Sequence, residues 1–253
     1  MLGMLLVLGV SRTDAQIINW TDRGFVNVNG GYQTQSRDFE TTQTFRLYNE
    51  TATVKAGYEI GAGALFDISG GVRVGPNGGI WRNVGVGIGY SRFKNTDDLT
   101  VEATLPHPVF FDRPRTVTTT ANDLEHTESA VHIFGLWMLP LSDKMDVAVF
   151  LGPTIFSIKQ DLVTGVQIAQ PEQSPFTGAI TGIVQAKAKK TGVGVNVGAD
   201  WSYMVTPQFG GGVFLRYAGG SVKLEAEDLS VDLNVGGFQF GAGLRVRFQK
   251  LFP

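Results

Sequence analysis

The chain has 253 residues, a formal net charge of −2 and only 17% charged residues, with 33 glycines and no cysteine. That length allows one sizeable domain or one barrel, the missing cysteine excludes disulfides and thiolate metal sites, and the near-neutral charge gives no reason to expect nucleic acid. No run of about eighteen apolar residues occurs, so any membrane crossing has to be made by a closed β-barrel.

The start, MLGMLLVLGVSRTDA, reads as an export signal over residues 1–15. Residues 2–10 form a short apolar core, Ala15 offers a small residue at a cleavage point, and the usual basic residues before the core are missing. Residues 16–253 then form the mature domain. Its first strand is predicted over 25–33, where Val26, Val28, Gly30 and Tyr32 oppose Asn27, Asn29, Gly31 and Gln33. A polar stretch, 34–62, is expected to be an outer loop whose ends extend the flanking strands. Strands over 65–74 and 84–93 follow, joined by the turn GPNGGIWRN, with Phe66, Ile68, Val86 and Ile88 on the apolar face. That GPNGG lacks the Gly-Lys-Ser/Thr ending and the following helix of a phosphate loop.

A long excursion over 94–124 leads to a fourth strand over 128–139 and a tight turn at 140–144. The fifth strand runs from Met145 toward Leu162 past Pro153, and a third polar loop covers 164–189. The sixth strand, 191–205, is the cleanest: Val193, Val195, Val197, Ala199, Trp201 and Tyr203 oppose Gly194, Asn196, Gly198, Asp200 and Ser202. After the turn at 206–208, the seventh strand covers 209–225, with Val213, Leu215 and Tyr217 opposing Gly212, Phe214 and Arg216.

The last stretch, VDLNVGGFQFGAGLRVRF over 231–248, decides the orientation of the faces. Val231, Leu233 and Val235 alternate with polar residues. Beyond Gly236-Gly237 the apolar set shifts by one, to Phe238, Phe240, Ala242, Leu244, Val246 and Phe248. A β-bulge is expected at the glycine pair. A soluble barrel is apolar inside; a membrane barrel is apolar outside. The polar face here is mostly glycine with Gln and Arg, whereas a solvated face carries Lys, Glu and Thr. Glycine suits a narrow interior, so the apolar face is assigned to lipid.

The result is an all-β fold, an eight-stranded antiparallel up-and-down transmembrane β-barrel with short turns at one end and long loops at the other. Trp137, Trp201, Tyr203 and Phe248 fall near the short-turn end and Tyr32, Tyr90 and Tyr217 near the other rim, as aromatic girdles. Gly241, Gly243, Val246 and Phe248 resemble the barrel-insertion signal of bacterial outer-membrane proteins, although the chain runs on to Pro253. Taken together, the order and spacing resemble the outer-membrane beta-barrel domain family, the small barrels related to the OmpA transmembrane domain and OmpW. The resemblance covers nearly the whole mature chain. It implies an outer-membrane location, contact with outer-membrane lipid and lipopolysaccharide, and handling by the barrel-assembly machinery during insertion. The family's motifs specify architecture far better than activity; a monomer without a cofactor is expected, and the three histidines, with no metal-ligand spacing and no catalytic partner in the sequence, lead to the expectation of no metal and no enzymatic activity.

The inward set predicts a lumen charge network of Asp67, Arg73, Asp146, Asp200, Arg216, Arg245 and Arg247, because unpaired buried charge is costly. Such a network plugs the lumen; the alternative is a charged constriction in a narrow channel for small or hydrophobic solutes. The histidines are His107, His126 and His132. His126, among Asp123, Glu125 and Glu128, is read as a solvated loop end, and His132 as an ordinary lumen residue. The stretch LPHPVFFDRPRT is the candidate surface contact loop, with His107, Phe110, Phe111 and Arg113. The phenylalanines are expected to pack down as a cap over the barrel mouth, since exposed apolar patches are uncommon without a partner. The expected role is structural or surface interaction.

Overall fold

The computed structural model describes residues 20–34, 38–76, 79–169, 176–226 and 229–249. The segment read as an export signal, residues 1–15, lies outside them, as do residues 250–253. Ten strands are present among the described residues: β1 (Gly24–Gln33), β2 (Phe39–Leu47), β3 (Glu50–Tyr58), β4 (Gly63–Arg73), β5 (Val84–Leu105), β6 (Arg115–Pro140), β7 (Met145–Ala169), β8 (Ala179–Met204), β9 (Phe209–Ala226) and β10 (Leu229–Phe248). Eight of them close an antiparallel ring, β1-β4-β5-β6-β7-β8-β9-β10, with β1 paired back onto β10. The remaining two, β2 and β3, form a hairpin through Tyr48 and Asn49. Both turn residues have positive φ, 51° and 64°, as a two-residue hairpin turn of the primed type requires. The pairing of β3 with β5 carries the wall upward beyond the point where β4 ends.

The long polar loops of the sequence reading are therefore mostly strand. Over 94–124 only residues 106–114 connect β5 to β6, and most of 164–189 belongs to β7 and β8. The reason is an inversion of amphipathy along each strand. On β5, Val86, Ile88 and Tyr90 point outward and are exposed; further along, the same face carries Arg92, Lys94, Thr96 and Glu102. The inner face changes in the opposite sense, from Gly85, Gly87 and Gly89 to Leu99, Val101, Ala103 and Leu105, the last four buried. The lower half is a barrel greasy outside. The upper half is a barrel greasy inside, with a core that includes Val54, Tyr58, Ile60, Phe93, Leu124, Phe156, Ile158, Leu162, Leu224 and Leu233.

The same inversion corrects the bulge expected at Gly236-Gly237. Pairing of β10 with β9 runs unbroken through it: Val235↔Gly220, Gly236↔Gly219, Gly237↔Ala218, Phe238↔Tyr217. Leu233, Val235, Gln239, Arg245 and Arg247 all stay buried on one face. The apolar residues change sides because the surroundings change from water to lipid, not because the strand slips. Gly236 nevertheless needs its glycine, since its φ is 86° and a Cβ there would stand 2.1 Å from the Ala218 carbonyl oxygen.

Inward glycines in the membrane half act as seats for large side chains. A Cβ at Gly87 would meet the Phe134 ring at 2.3 Å, at Gly198 the Phe150 ring at 2.6 Å, at Gly194 the Phe156 ring at 2.8 Å, and at Gly71 the Phe25 ring at 2.8 Å. Gly241 similarly accepts Phe214, and Gly212 the Arg245 guanidinium. An eight-stranded ring has an interior just wide enough for side chains, and each bulky one fits because its neighbour has none.

Two glycine substitutions separate this effect from general strand propensity. Gly87→Val is expected to destabilise the barrel by about 1–3 kcal/mol or more through overpacking against Phe134. Gly30→Ala, where nothing lies within 4 Å of the added carbon, is expected to be near neutral. The fraction of faster-migrating folded band on unheated denaturing gels measures both.

Candidate functional site

The lumen of the membrane half is the most elaborate polar region among the described residues. Its charged groups come from β4, β7, β8, β9 and β10, each placed inward by simple alternation from an outward Val, Leu, Ile, Phe or Trp. Arg245 is bidentate to Asp200, Nε to Oδ1 at 2.9 Å and Nη2 to Oδ2 at 2.8 Å. Arg247 donates to Asp146 and to the Ser202 hydroxyl, both at 2.8 Å, and lies over the Phe25 ring. Arg216 forms an ion pair with Asp67 at 2.9 Å. Arg73 stands apart from these pairs: it sits half-buried near the short-turn mouth and donates to the Trp20 carbonyl at 3.1 Å.

Neutral side chains join the pairs into one continuous chain. Ser202 donates to Asp200, and Arg245 donates to Asn29, whose amide donates to Asp67. Arg216 donates to Gln239 at 2.7 Å, Gln239 to Gln33 at 2.6 Å, and Gln33 to Glu128 at 2.9 Å. Glu128 also accepts the Gly236 backbone N–H and meets His126 Nε2 at 2.9 Å. His126 Nδ1 in turn meets Gln160 Oε1 at 2.5 Å, and the Gln160 amide is oriented by donating to the Asp161 carbonyl. Both ring nitrogens of His126 thus face side-chain oxygen atoms.

Sequence reasoning missed the neutral members and misplaced His126. It is 2% exposed rather than at a solvated loop end, because the strand pattern continues past it. Gln33, Asn29 and Gln239 carried a usable signal, the inward phase of their strands, but uncharged residues give no hint of their partners. His132 is fully buried between the Ser91 hydroxyl (2.9 Å from Nε2) and the Thr154 hydroxyl (2.8 Å from Nδ1), and Asn196 donates to Thr154. Phe25, Phe134, Leu136, Met138 and Trp20 fill the short-turn end. Between the layers lies a cavity of about 20 Å³ lined in part by Phe25, Asn27, Phe134 and Arg216, space for about one water.

At the far end, the connection between β5 and β6 does not cap the mouth. Phe110 is 54% and Phe111 80% exposed, beside an exposed Val109. His107 accepts the backbone N–H groups of Val109 and Phe110 at 3.1 Å through Nδ1 and packs against the rings of Phe110 and Phe176. Arg113 lies over Phe110 at 5.8 Å. The upper half is already sealed by its own apolar core, so the phenylalanines have no mouth left to cover. Gly241 and Gly243 face inward on β10, while Phe248 is exposed on the outer face beside a half-buried Val246.

A belt of exposed apolar side chains surrounds the lower half. It includes Trp137, Trp201 and Tyr203 near the short turns and Tyr32, Tyr90, Tyr217, Phe238 and Phe240 at the opposite rim. At ~3.3 Å per residue and a tilt near ~40° it is about 25 Å tall, the height of a hydrocarbon layer spanned by strands. The solved structure of the outer membrane protein OprG from Pseudomonas aeruginosa superimposes on 91% of this chain and 98% of its own, with a TM-score of 0.50 and 9% identity. The chain has the outer-membrane β-barrel fold. Neisserial surface protein A is also similar, at a TM-score of 0.42 and 14% identity over 89% of this chain and 97% of its own. The outer membrane protease OmpT from Escherichia coli gives 0.43 and 10% over 88% and 97%. No family model and no curated protein matches the sequence. Belt and fold together place this barrel in an outer membrane.

The ion pairs predict a specific pattern of stability. Arg245→Leu alone leaves Asp200 buried without its bidentate partner and is expected to cost about 3–5 kcal/mol; Arg245→Leu combined with Asp200→Leu is expected to recover most of that loss. Urea unfolding of the refolded barrel in lipid vesicles measures the difference.

Proposed function

We propose that this protein is a closed outer-membrane barrel whose role is structural and surface-interacting, with the β5–β6 connection as the contact element. The observation that supports this most directly is the filled lumen. A periplasmic apolar layer, the hydrogen-bonded charge chain and the upper apolar core follow one another, with room for about one water between the first two. Among the described residues such a stack leaves little space for a hydrated ion. The exposed Phe110 and Phe111, braced by His107 and Arg113 in the β5–β6 connection, supply an apolar contact that a buried cap would not. Ring closure leaves no unpaired strand within the belt, which fits a monomer, and the glycines and aromatic end of β10 fit a strand read by the assembly machinery during insertion.

The protein is inferred not to be an enzyme. The Ser91–His132 pair has the spacing of a nucleophile and base, but it is enclosed, and a Thr154 hydroxyl occupies the position where an orienting carboxylate would be needed.

A second reading rests on a different observation. Above Gln33 and Gln239, β10 is paired with β9 but not with β2 among the described residues. The wall there is open in its hydrogen bonding and lined by apolar groups, which would suit sideways passage of a small hydrophobic solute.

Planar-bilayer recordings separate closed barrel from ion channel. The purified protein is expected to give no reproducible conductance steps. Steady unitary steps would overturn the closed-barrel reading, and protein-dependent uptake of an apolar dye into vesicles without conductance would favour the second.

A further inference from the structure

The ladder between β1 and β10 keeps one register from Gly24↔Phe248 up to Gln33↔Gln239. On this side β10 bonds through alternate residues: Phe248 accepts from Arg23 at 2.7 Å, and Phe238 from Thr34 at 2.8 Å. Alternation in an antiparallel ladder assigns the same edge to Gly236. Its amide does not stay on that edge. It turns into the lumen and donates to Glu128 Oε2 at 3.0 Å, at a φ of 86°. The N–H of Phe238 is diverted as well, to the Thr34 hydroxyl at 3.1 Å. Above this point no pairing joins β2 to β10 among the described residues, although each keeps its other neighbour, β3 and β9.

Glu128 is placed to hold both strands at their last pair. It is buried on β6. Its Oε2 accepts the Gln33 amide at 2.9 Å as well as the Gly236 N–H, and its Oε1 meets His126 Nε2 at 2.9 Å. Gln239, the partner of Gln33 in the ladder, donates to the Gln33 side chain at 2.6 Å. Stripping donors from a buried carboxylate costs more than losing one backbone bond at an edge that water can reach. Competition for the Gly236 N–H therefore favours Glu128. Other obstacles to pairing are weaker. Continued upward, the β1–β10 register would set Glu40 against Asp232 and Thr42 against Ser230. Like charges directly opposite repel, but Lys55 already lies 3.5 Å from Glu40.

We infer that Glu128 is a latch that keeps the upper wall unzipped. By holding the Gly236 amide inward it ends the ladder at the outer rim of the belt and leaves a seam between β2 and β10. Released, β10 zips onto β2 in the register of the belt below. The upper half then becomes a ring of eight strands, β2-β3-β5-β6-β7-β8-β9-β10, matching the ring beneath it. This inference goes beyond the proposed function and does not depend on whether the lumen conducts or a solute uses the seam.

The chain has no cysteine, so Thr42→Cys/Ser230→Cys, at two exposed positions, reports on the seam alone. Full-length protein carrying this pair is purified in detergent and treated with a short bifunctional thiol reagent. Adding Glu128→Ala is expected to speed intramolecular cross-linking about tenfold. Glu128→Gln keeps an acceptor for Gly236 and is expected to cross-link like the parent pair. Amide hydrogen exchange on the wild-type barrel tests the latch without any variant. The Gly236 amide should be protected. Those of Ser230, Asp232 and Asn234, which face the seam, should exchange on the order of tenfold or more faster than those of Val231, Leu233 and Val235, which face β9. Equal cross-linking rates in the parent pair and a folded Glu128→Ala variant would overturn the proposal. So would equal protection of the two amide sets, or rapid exchange at Gly236.

Discussion

Every part of this molecule depends on how little room an eight-stranded ring encloses. Several rings and one guanidinium group enter the narrow lumen where a neighbouring strand offers a bare backbone. Phe134 rests on Gly87, Phe150 on Gly198, Phe156 on Gly194, Phe25 on Gly71, and Arg245 on Gly212. Glycine weakens a strand in isolation. Here that cost is offset by close packing of the aromatic and charged groups that fill the interior.

Within that packing, the charges are arranged so that none is solitary in a space without bulk water. Asp146, Arg247, Ser202, Asp200, Arg245, Asn29, Asp67, Arg216, Gln239, Gln33, Glu128 and His126 form a single sequence, hydrogen-bonded except for the Asp67–Arg216 ion pair, from the short-turn end to the belt's outer rim. A buried pair is weak evidence for stability compared with an apolar filling, but a linked chain fixes the relative register of seven strands, β1, β4 and β6 to β10, and of the break above β1. The Gly236 amide turned onto Glu128 ties that break to the lumen directly.

Above the rim the strands continue into water and the same wall changes its chemistry. Residues of one parity on β5 face outward along its whole length, yet they pass from Val86, Ile88 and Tyr90 to Lys94, Thr100 and Glu102. The hydrophobic effect drives apolar groups out toward lipid in one half and in toward a dry core in the other. The border between these regimes is where the cations of β5, β7 and β8 gather. The protruding half also carries the β5–β6 connection and its exposed phenylalanines away from the membrane surface.

The sequence alone contained the strand count in the membrane, the lipid-facing side and the girdle positions, because alternation between two solvents is written residue by residue. It also contained the evidence for the upper strands, in alternations such as Leu99, Val101, Ala103 and Leu105. Those were obscured because Thr, Lys and Glu between them look like loop when only a lipid-facing pattern is sought. The shift at Gly236-Gly237 was legible as a change of apolar parity, but parity cannot distinguish a slipped strand from a strand crossing from water into lipid. Only the closed ring decided that, along with the partners of Arg216 and His126, the isolation of Arg73 and the exposure of Phe111. Each of these depends on which strands lie across a narrow lumen or beside one another at the rim, and distances between strands far apart in the chain leave no periodic trace in it.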